Sequence, residues 1–376
     1  MYTRLGVGLI IGLGLAFIYL LFVAGRGPGL QDVNALECAC IARNVARTGH
    51  FATSILKPIS LARIPRPDDH PDLIYTPLHP LWESLWLRGM GLSDRAIALA
   101  GGAWLFLGTG LLLAMGWAWF DPRVGYLAAA AYALNINMMQ HAAGGTEAPM
   151  IAFFLLLLMA ALAGYAKSGG QSLWRALGVG VVAGLLALSK DVWGLSVLAA
   201  AVAVYSLTPR ALRPRMTLAV LGAFALVLAP WLVRNALVSG DPFFSFRWLE
   251  SVMHTQTYPG NTLYRTYTTD YPSWTLFVIT SPREVLAKTL RGLQQLYAEP
   301  IVAPGLYVGA LFVAAILFPL GSRGVEISRY VLYGAYGLAV MAMLVLLPAQ
   351  RLTAPLAAPA TLLGVAFFVR LLDQTL

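Results

Sequence analysis

Apolar runs long enough to cross a lipid bilayer recur along almost the whole chain, and they restrict its fold more than any other feature. They fall at about residues 5–24, 96–119, 124–140, 148–166, 174–189, 192–208, 216–236, 301–320, 329–348 and 353–371. A helix needs about 20 apolar residues to cross the hydrocarbon core. Inside lipid every backbone polar group must be paired within the chain, so such runs form helices. The composition agrees: 59% of the 376 residues are hydrophobic and only 11% are charged, against roughly a quarter charged in soluble domains. The expected fold is therefore an all-α polytopic membrane protein of about ten transmembrane helices, with residues 1–376 forming one domain. The runs at 174–189 and 192–208 are short and are separated by Lys190-Asp191, so they read as two spans or one buried hairpin. The first run, "LGVGLIIGLGLAFIYLLFVA", is too long for the apolar core of a signal peptide and is read as a retained helix.

Basic residues in short loops orient such a chain. With the N-terminus inside, the loops "DPR", "AKSGGQSLWR", "TPRALRPR" and "GSRGVEISR" are all cytoplasmic, and each carries Arg or Lys. The C-terminal "RLLDQTL" falls on the same side. The net charge of +9 is thus explained by orientation and anionic lipid. The chain holds no nucleic-acid-binding motif, and no nucleic-acid partner is expected. The two long loops, about 25–95 and 237–300, then lie together outside the cytoplasm. The implied location is the cell (inner) membrane, multi-pass, with both termini cytoplasmic.

These loops are not featureless. Residues 32–48 lack Gly and Pro, and Ala35, Ala39, Ala42 and Ala46 form a small-residue stripe at helical spacing, stopped by Gly49. A Pro-rich piece follows, and then "LWESLWLRGMG" reads as a short interfacial helix. The second loop ends in a similar segment, "SPREVLAKTLRGLQQLY". The two cysteines, Cys38 and Cys40, are two apart on the first of these helices, on different faces, and read as free.

Acids and bases gather where the spans meet the outer loops. Asp32 stands just before a helix, as an N-terminal cap or as a general base or metal ligand. Glu37 competes for that role, or is a solvated helix flank. Glu147 opens the span beginning "TEAPMIAFF", and an acid at such a boundary either favours the helix dipole or faces a functional cavity. Lys190, Arg234 and Arg351 lie at outer span ends; each could snorkel, and together they suit a phosphate. Two acids with water also suffice for weak Mg2+ or Mn2+ binding, so Asp32 and Glu147 are the metal candidates.

In order along the chain, the motifs resemble those of integral-membrane glycosyltransferases of the GT-C class, in the branch shared by protein mannosyltransferases and the aminoarabinose transferase of lipid A. The matching stretches are "ARNVARTGHF", "YTPLHPLW", "GMGLSDRAIAL", "TEAPMIAFF", "GLLALSK", "APWLVRNALVSGDPFFS" and "RLTAPLAAP", which together cover most of the chain. The resemblance implies transfer of a sugar from a polyprenyl-phosphate carrier to a protein or lipid acceptor on the extracytoplasmic face. It implies that Asp32 is the base or metal-linked acid, with Glu147 as partner and Glu37 as competitor. Lys190, Arg234 and Arg351 would meet the carrier phosphate or sugar, with Tyr75 and His79 in the substrate region. Two departures are visible. The family's acid position falls near Asn34, and its Lys falls on Thr76. They favour an alternative, a catalytically inactive GT-C-like subunit that scaffolds a membrane complex. A transporter is disfavoured, because transporters carry polar sites at mid-membrane, whereas here the ionisable residues cluster at outer span ends.

Overall fold

The computed structural model describes residues 2–25, 29–296, 302–346 and 353–375. Four helices among these residues are long and apolar enough to cross a membrane: Asp94–Trp119, Ala148–Lys167, Arg210–Ser239 and Ala354–Gln374. Shorter apolar helices stand beside them, at Gly12–Gly25, Leu173–Ser189, Asp191–Leu207 and Leu306–Ile316. In chain order the α-helices are α1 (Tyr2–Gly25), α2 (Val33–Thr48), α3 (Pro58–Arg63), α4 (Leu78–Met90), α5 (Asp94–Trp119), α6 (Pro122–Ala133), α7 (Ile136–Ala143), α8 (Ala148–Lys167) and α9 (Leu173–Ser189). They continue as α10 (Ser196–Leu207), α11 (Arg213–Ser239), α12 (Trp274–Thr280), α13 (Pro282–Leu296), α14 (Leu306–Ile316), α15 (Arg323–Leu346) and α16 (Ala357–Thr375).

The run expected at 124–140 is two helices, not one. Asn135 breaks it: its side chain accepts the Met138 N–H to cap α7 and donates to the Ala303 carbonyl at 2.9 Å. The weak pair at 174–208 is divided at Lys190, after which Asp191–Leu195 tightens into a 3-10 turn before α10.

The molecule has two main cores. The larger lies in the helix bundle, where Leu105, Leu112, Leu155, Leu186, Val204 and Leu362 are fully buried. α8 is covered on most sides, whereas α11 buries only Met216, Val220, Ala223 and Asn235. The second core is made by the two long loops together: Cys38, Ile41, Val45 and Ile59 from the first pack with Phe246, Leu249, Met253 and Leu263 from the second. Segments some 200 residues apart thus form a single layer with its own core. Within it β1 (Ala52–Thr53) pairs antiparallel with β2 (His70–Pro71). The small-residue stripe of α2 lets it lie against α4, with Ala35 and Ala42 buried, and the helix stops at Gly49, whose φ of 80° is cheap only for glycine.

Candidate functional site

Glu147 precedes the first turn of α8, with Pro149 just inside the helix, a position where proline costs no hydrogen bond. Its side chain does not cap the helix but reaches Lys190 Nζ at 2.5 Å. Lys190 is in place because α9 ends at Ser189 and the chain is extended at the next residue. Beneath this pair lies a second one. His79 and Glu83, one turn apart on α4, are 4% and 1% exposed, with Nε2 at 3.2 Å from Oε1. The same Nε2–H donates to the Gly145 carbonyl at 3.1 Å. Gly145 has φ +69°, and a Cβ there would stand 2.6 Å from Ile97 Cγ2 and 3.5 Å from Glu83 Oε1. Only glycine fits that turn, so α4 grips the backbone two residues before Glu147.

The charges set one another. Burial alone would lower the His79 pKa, but the Glu83 carboxylate outweighs it and holds the imidazole up at about 9. Burial lifts Glu83 above the ordinary carboxylate range, and His79 pulls it partly back. Burial would also raise Glu147, yet Lys190 and then His79 hold it well below the ordinary range. Glu147 is therefore a fixed anion.

A different constellation lies across the Lys190-Asp191 bond. Asp72 is buried, and its Oδ1 accepts the N–H groups of Ile74 and Tyr75 at 2.9 and 2.7 Å, bending the loop so that Tyr75 faces inward. The Tyr75 hydroxyl donates to Asn34 Oδ1 at 3.0 Å. Two cations approach the Tyr75 ring, Lys57 at 5.9 Å and Arg247 at 5.7 Å. Lys57 pairs with Glu37 at 2.6 Å and lies over Tyr264 at 4.8 Å. Arg247 meets Asp191 at 3.2 Å and Glu250 at 3.8 Å, while Tyr264 donates to Glu250 at 3.0 Å.

Beside this cluster a cavity of about 230 Å³ opens between the loop layer, α9 and α11. Leu188, Phe224, Leu228 and Leu232 give it an apolar wall, and Tyr75, Thr76, Asp191 and Asn235 give it a polar end. Thr76 fastens the loop to α9 by donating to the Ser189 carbonyl at 3.0 Å.

The residues singled out in the sequence are distributed as follows. Asp32 is the N-cap of α2, accepting the Ala35 N–H at 3.0 Å. The segments bearing Asp32 and Glu147 are neighbours, since Leu30 packs at Gly145, but Asp32 is not among the residues around the small pocket that Glu147 and Lys190 share with His141, Thr146 and Trp193. Glu37 is 12% exposed and paired with Lys57, so it is no solvated flank. His79 is interior, and Tyr75 lines the cavity. Arg234 stacks on Trp231 at 4.8 Å and Phe51 at 5.4 Å and donates to the Phe51 carbonyl at 3.2 Å. Arg351 lies outside the described residues. Glu83, Lys57, Arg247 and Glu250 escaped the sequence reading. The four-residue spacing of His79 and Glu83 on one helix face was a usable signal for the first.

Mg2+ usually keeps several waters and takes only one or two protein carboxylates, which must be free to bind it. Among the described residues no group of three or more His, Cys, Asp or Glu side chains is arranged to hold a metal, and the Glu147 carboxylate is already matched by Lys190. Asp32 accepts the Ala35 N–H and Glu147 holds Lys190, so each of these carboxylates is already engaged.

No family's sequence description matches the chain, and neither does any curated protein. Among solved structures the chain is similar to ArnT from Cupriavidus metallidurans. For the apo state the identity is 15% and the TM-score 0.47, and for the form bound to undecaprenyl phosphate they are 16% and 0.47; each match covers 98% of this chain and 78% of that one. It is also similar to the oligosaccharyltransferase AglB from Archaeoglobus fulgidus, in complex with an inhibitory peptide and a dolichol-phosphate (identity 13%, TM-score 0.48, 96% of this chain and 50% of AglB).

Proposed function

We propose that this protein is a membrane glycosyltransferase that takes a sugar from a polyprenyl-phosphate carrier and passes it to a protein or lipid acceptor on the extracytoplasmic face. The supporting observation is the cavity beside α9 and α11. Its apolar wall continues into the little-covered α11, and its other end holds Tyr75, Thr76 and Asp191 beside the buried Arg247. An isoprenoid chain matches the first part and a phosphate the second.

The chemistry divides between the acids. Transfer breaks the sugar C1–O bond, the phosphate leaves with the bonding pair, and the acceptor gives up a proton. A group held as far into its anionic form as Glu147 is a weak base. Glu147 with Lys190 therefore serves as a fixed dipole that orients sugar or acceptor; Glu37 is likewise matched by Lys57, and the proton is assigned to Asp32. Asn caps a helix as well as Asp does. Asp32→Asn should thus fold normally and lose transfer, and unchanged transfer by that variant would remove Asp32 from the mechanism. Leu228→Trp fills the cavity and should weaken undecaprenyl phosphate binding about tenfold or more, read by native mass spectrometry.

One observation favours a second reading, a catalytically inactive scaffold. Asn34, at the position where the resemblance expects an acid, spends its side-chain oxygen on Tyr75, and Asp32 spends one of its own on the Ala35 N–H. Carrier binding without transfer by the purified protein, together with recovery of one membrane partner in fixed ratio, would establish it.

A further inference from the structure

Asp191 differs from the groups around it. Arg247 and Glu250 are buried, whereas the Asp191 side chain is 41% exposed and lines the cavity. Its Oδ1 is shared between Arg247 Nη1 at 3.2 Å and the Val192 N–H at 2.8 Å. On the other side of the guanidinium, Nε is buried without a hydrogen-bond partner and faces Glu250 at 3.8 Å. The other cations of this end are more firmly engaged. Lys190 is on Glu147 at 2.5 Å, Lys57 is on Glu37 at 2.6 Å, and Arg234 lies on two aromatic rings and a carbonyl. Among these four cations, Arg247 alone has a partner that is half in solvent and at the cavity. A guanidinium accepts carboxylate or phosphate in the same planar fork, so the two anions compete for it.

We infer that Arg247 is the residue that reads the phosphate of a lipid carrier in this cavity, and that Asp191 is a built-in competitor which the phosphate displaces. The inference rests on the reading of the cavity as the carrier site. Displacement is inexpensive because Asp191 swings into water, and an ion pair with an exposed member holds weakly. The Val192 N–H, in a residue only 5% exposed, passes from Asp191 to an oxygen of the incoming phosphate. Arg247 stays in place, braced by Glu250 and the Tyr75 ring.

The test measures binding of undecaprenyl phosphate and of undecaprenol, the same chain without the anion, to the full protein in detergent. Asp191→Asn keeps an oxygen for the Val192 N–H, so it should fold, and it removes the competing charge. Its preference for phosphate over alcohol should rise about threefold to fivefold above that of the wild type. Arg247→Lys, which keeps the charge but not the fork, should lower that preference about tenfold. Should Arg247→Gln fail to fold with Glu250 left unmatched, the Arg247→Gln/Glu250→Gln double variant removes both charges, and it should bind the two lipids equally. Binding of inorganic phosphate as tightly as the lipid would mean that a free anion, not a carrier, is the ligand. If the wild type binds neither lipid, the carrier reading itself falls. If the wild type prefers the phosphate while Asp191→Asn shows the same or a smaller preference, the carrier reading stands and the displacement by Asp191 does not.

Discussion

Lys190 and Asp191 are consecutive, yet each belongs to a different charge cluster. Lys190 turns toward Glu147, over the buried His79–Glu83 pair, and both members of its own pair are largely covered, at 13% and 21% exposed. Asp191 turns the other way, toward Arg247, and remains 41% exposed. The break between α9 and the 3-10 turn sends the two side chains apart. Where both partners are covered, either one left alone is a charge without solvent, so the pair holds its geometry. Where one partner is wet, the pair can open. The first cluster is suited to fixing an orientation, and the second to exchanging one anion for another.

The largest effect expected from breaking this contrast is at Lys190. Lys190→Met leaves Glu147 ionised and partly buried with its main counter-charge gone, which should lower stability by about 3 kcal/mol. Adding Glu147→Gln should restore most of that loss, because the pair and not either residue carries the energy. Thermal unfolding of the two single variants and the double variant in detergent measures the coupling; three additive effects would show that the 2.5 Å contact has no energetic content.

The second expectation concerns pH and sits in the same cluster. The folded state holds His79 up at about 9, above the ordinary value of 6.5. A group whose folded pKa is raised contributes stability that is complete below its unfolded pKa and is lost as pH rises through the folded value. The His79 contribution should therefore be lost between about pH 6.5 and pH 9, by about 3 kcal/mol, against an opposite gain from Lys288, which burial holds down at about 8, so it is read as the difference between wild type and variant. His79→Gln/Glu83→Gln should flatten that limb. An equal decline in the double variant would place the titrating group elsewhere.

The two clusters were unequally legible in the sequence, for a physical reason. Helical period and stop residues are local, so α2 with its alanine stripe and Gly49 stop, and α4 and α13 in the long loops, are readable from the residues alone. Glu147 and Lys190 were legible as ionisable groups at span ends. Their mutual pairing was not, because it links positions 43 residues apart. The second cluster was hidden more deeply. Arg247 sits in an aromatic, turn-rich stretch, and it becomes a site only because loops from opposite halves of the chain fold into a common core around Tyr75 and Phe246. Asn135 likewise ended a run that hydropathy alone reads as continuous.

A smaller effect separates structure from chemistry at Asp32. Its carboxylate caps α2 through the Ala35 N–H, and loss of such a cap costs about 1 kcal/mol. Asp32→Ala should show that loss and Asp32→Asn should not, so any fall in sugar transfer shared by both variants reports on chemistry. Equal destabilisation of the two would mean that the ionised carboxylate stabilises the fold beyond its cap.

The smallest effect is expected at Asp191, and it bears most directly on the contrast. Asp191→Asn removes a charge from Arg247 just as Lys190→Met removes one from Glu147, and the distances are 3.2 and 2.5 Å. On distance alone the two losses would be of the same order. Exposure separates them. The Asp191 carboxylate already spends much of its field on water, and Arg247 keeps Glu250 as a second anion at 3.8 Å. Asparagine also retains the oxygen that receives the Val192 N–H. The loss should therefore stay within about 0.5 kcal/mol, a small fraction of that at Lys190. A loss at Asp191 as large as that at Lys190 would mean that solvent access does not distinguish the clusters, and that neither pair opens without cost to the fold.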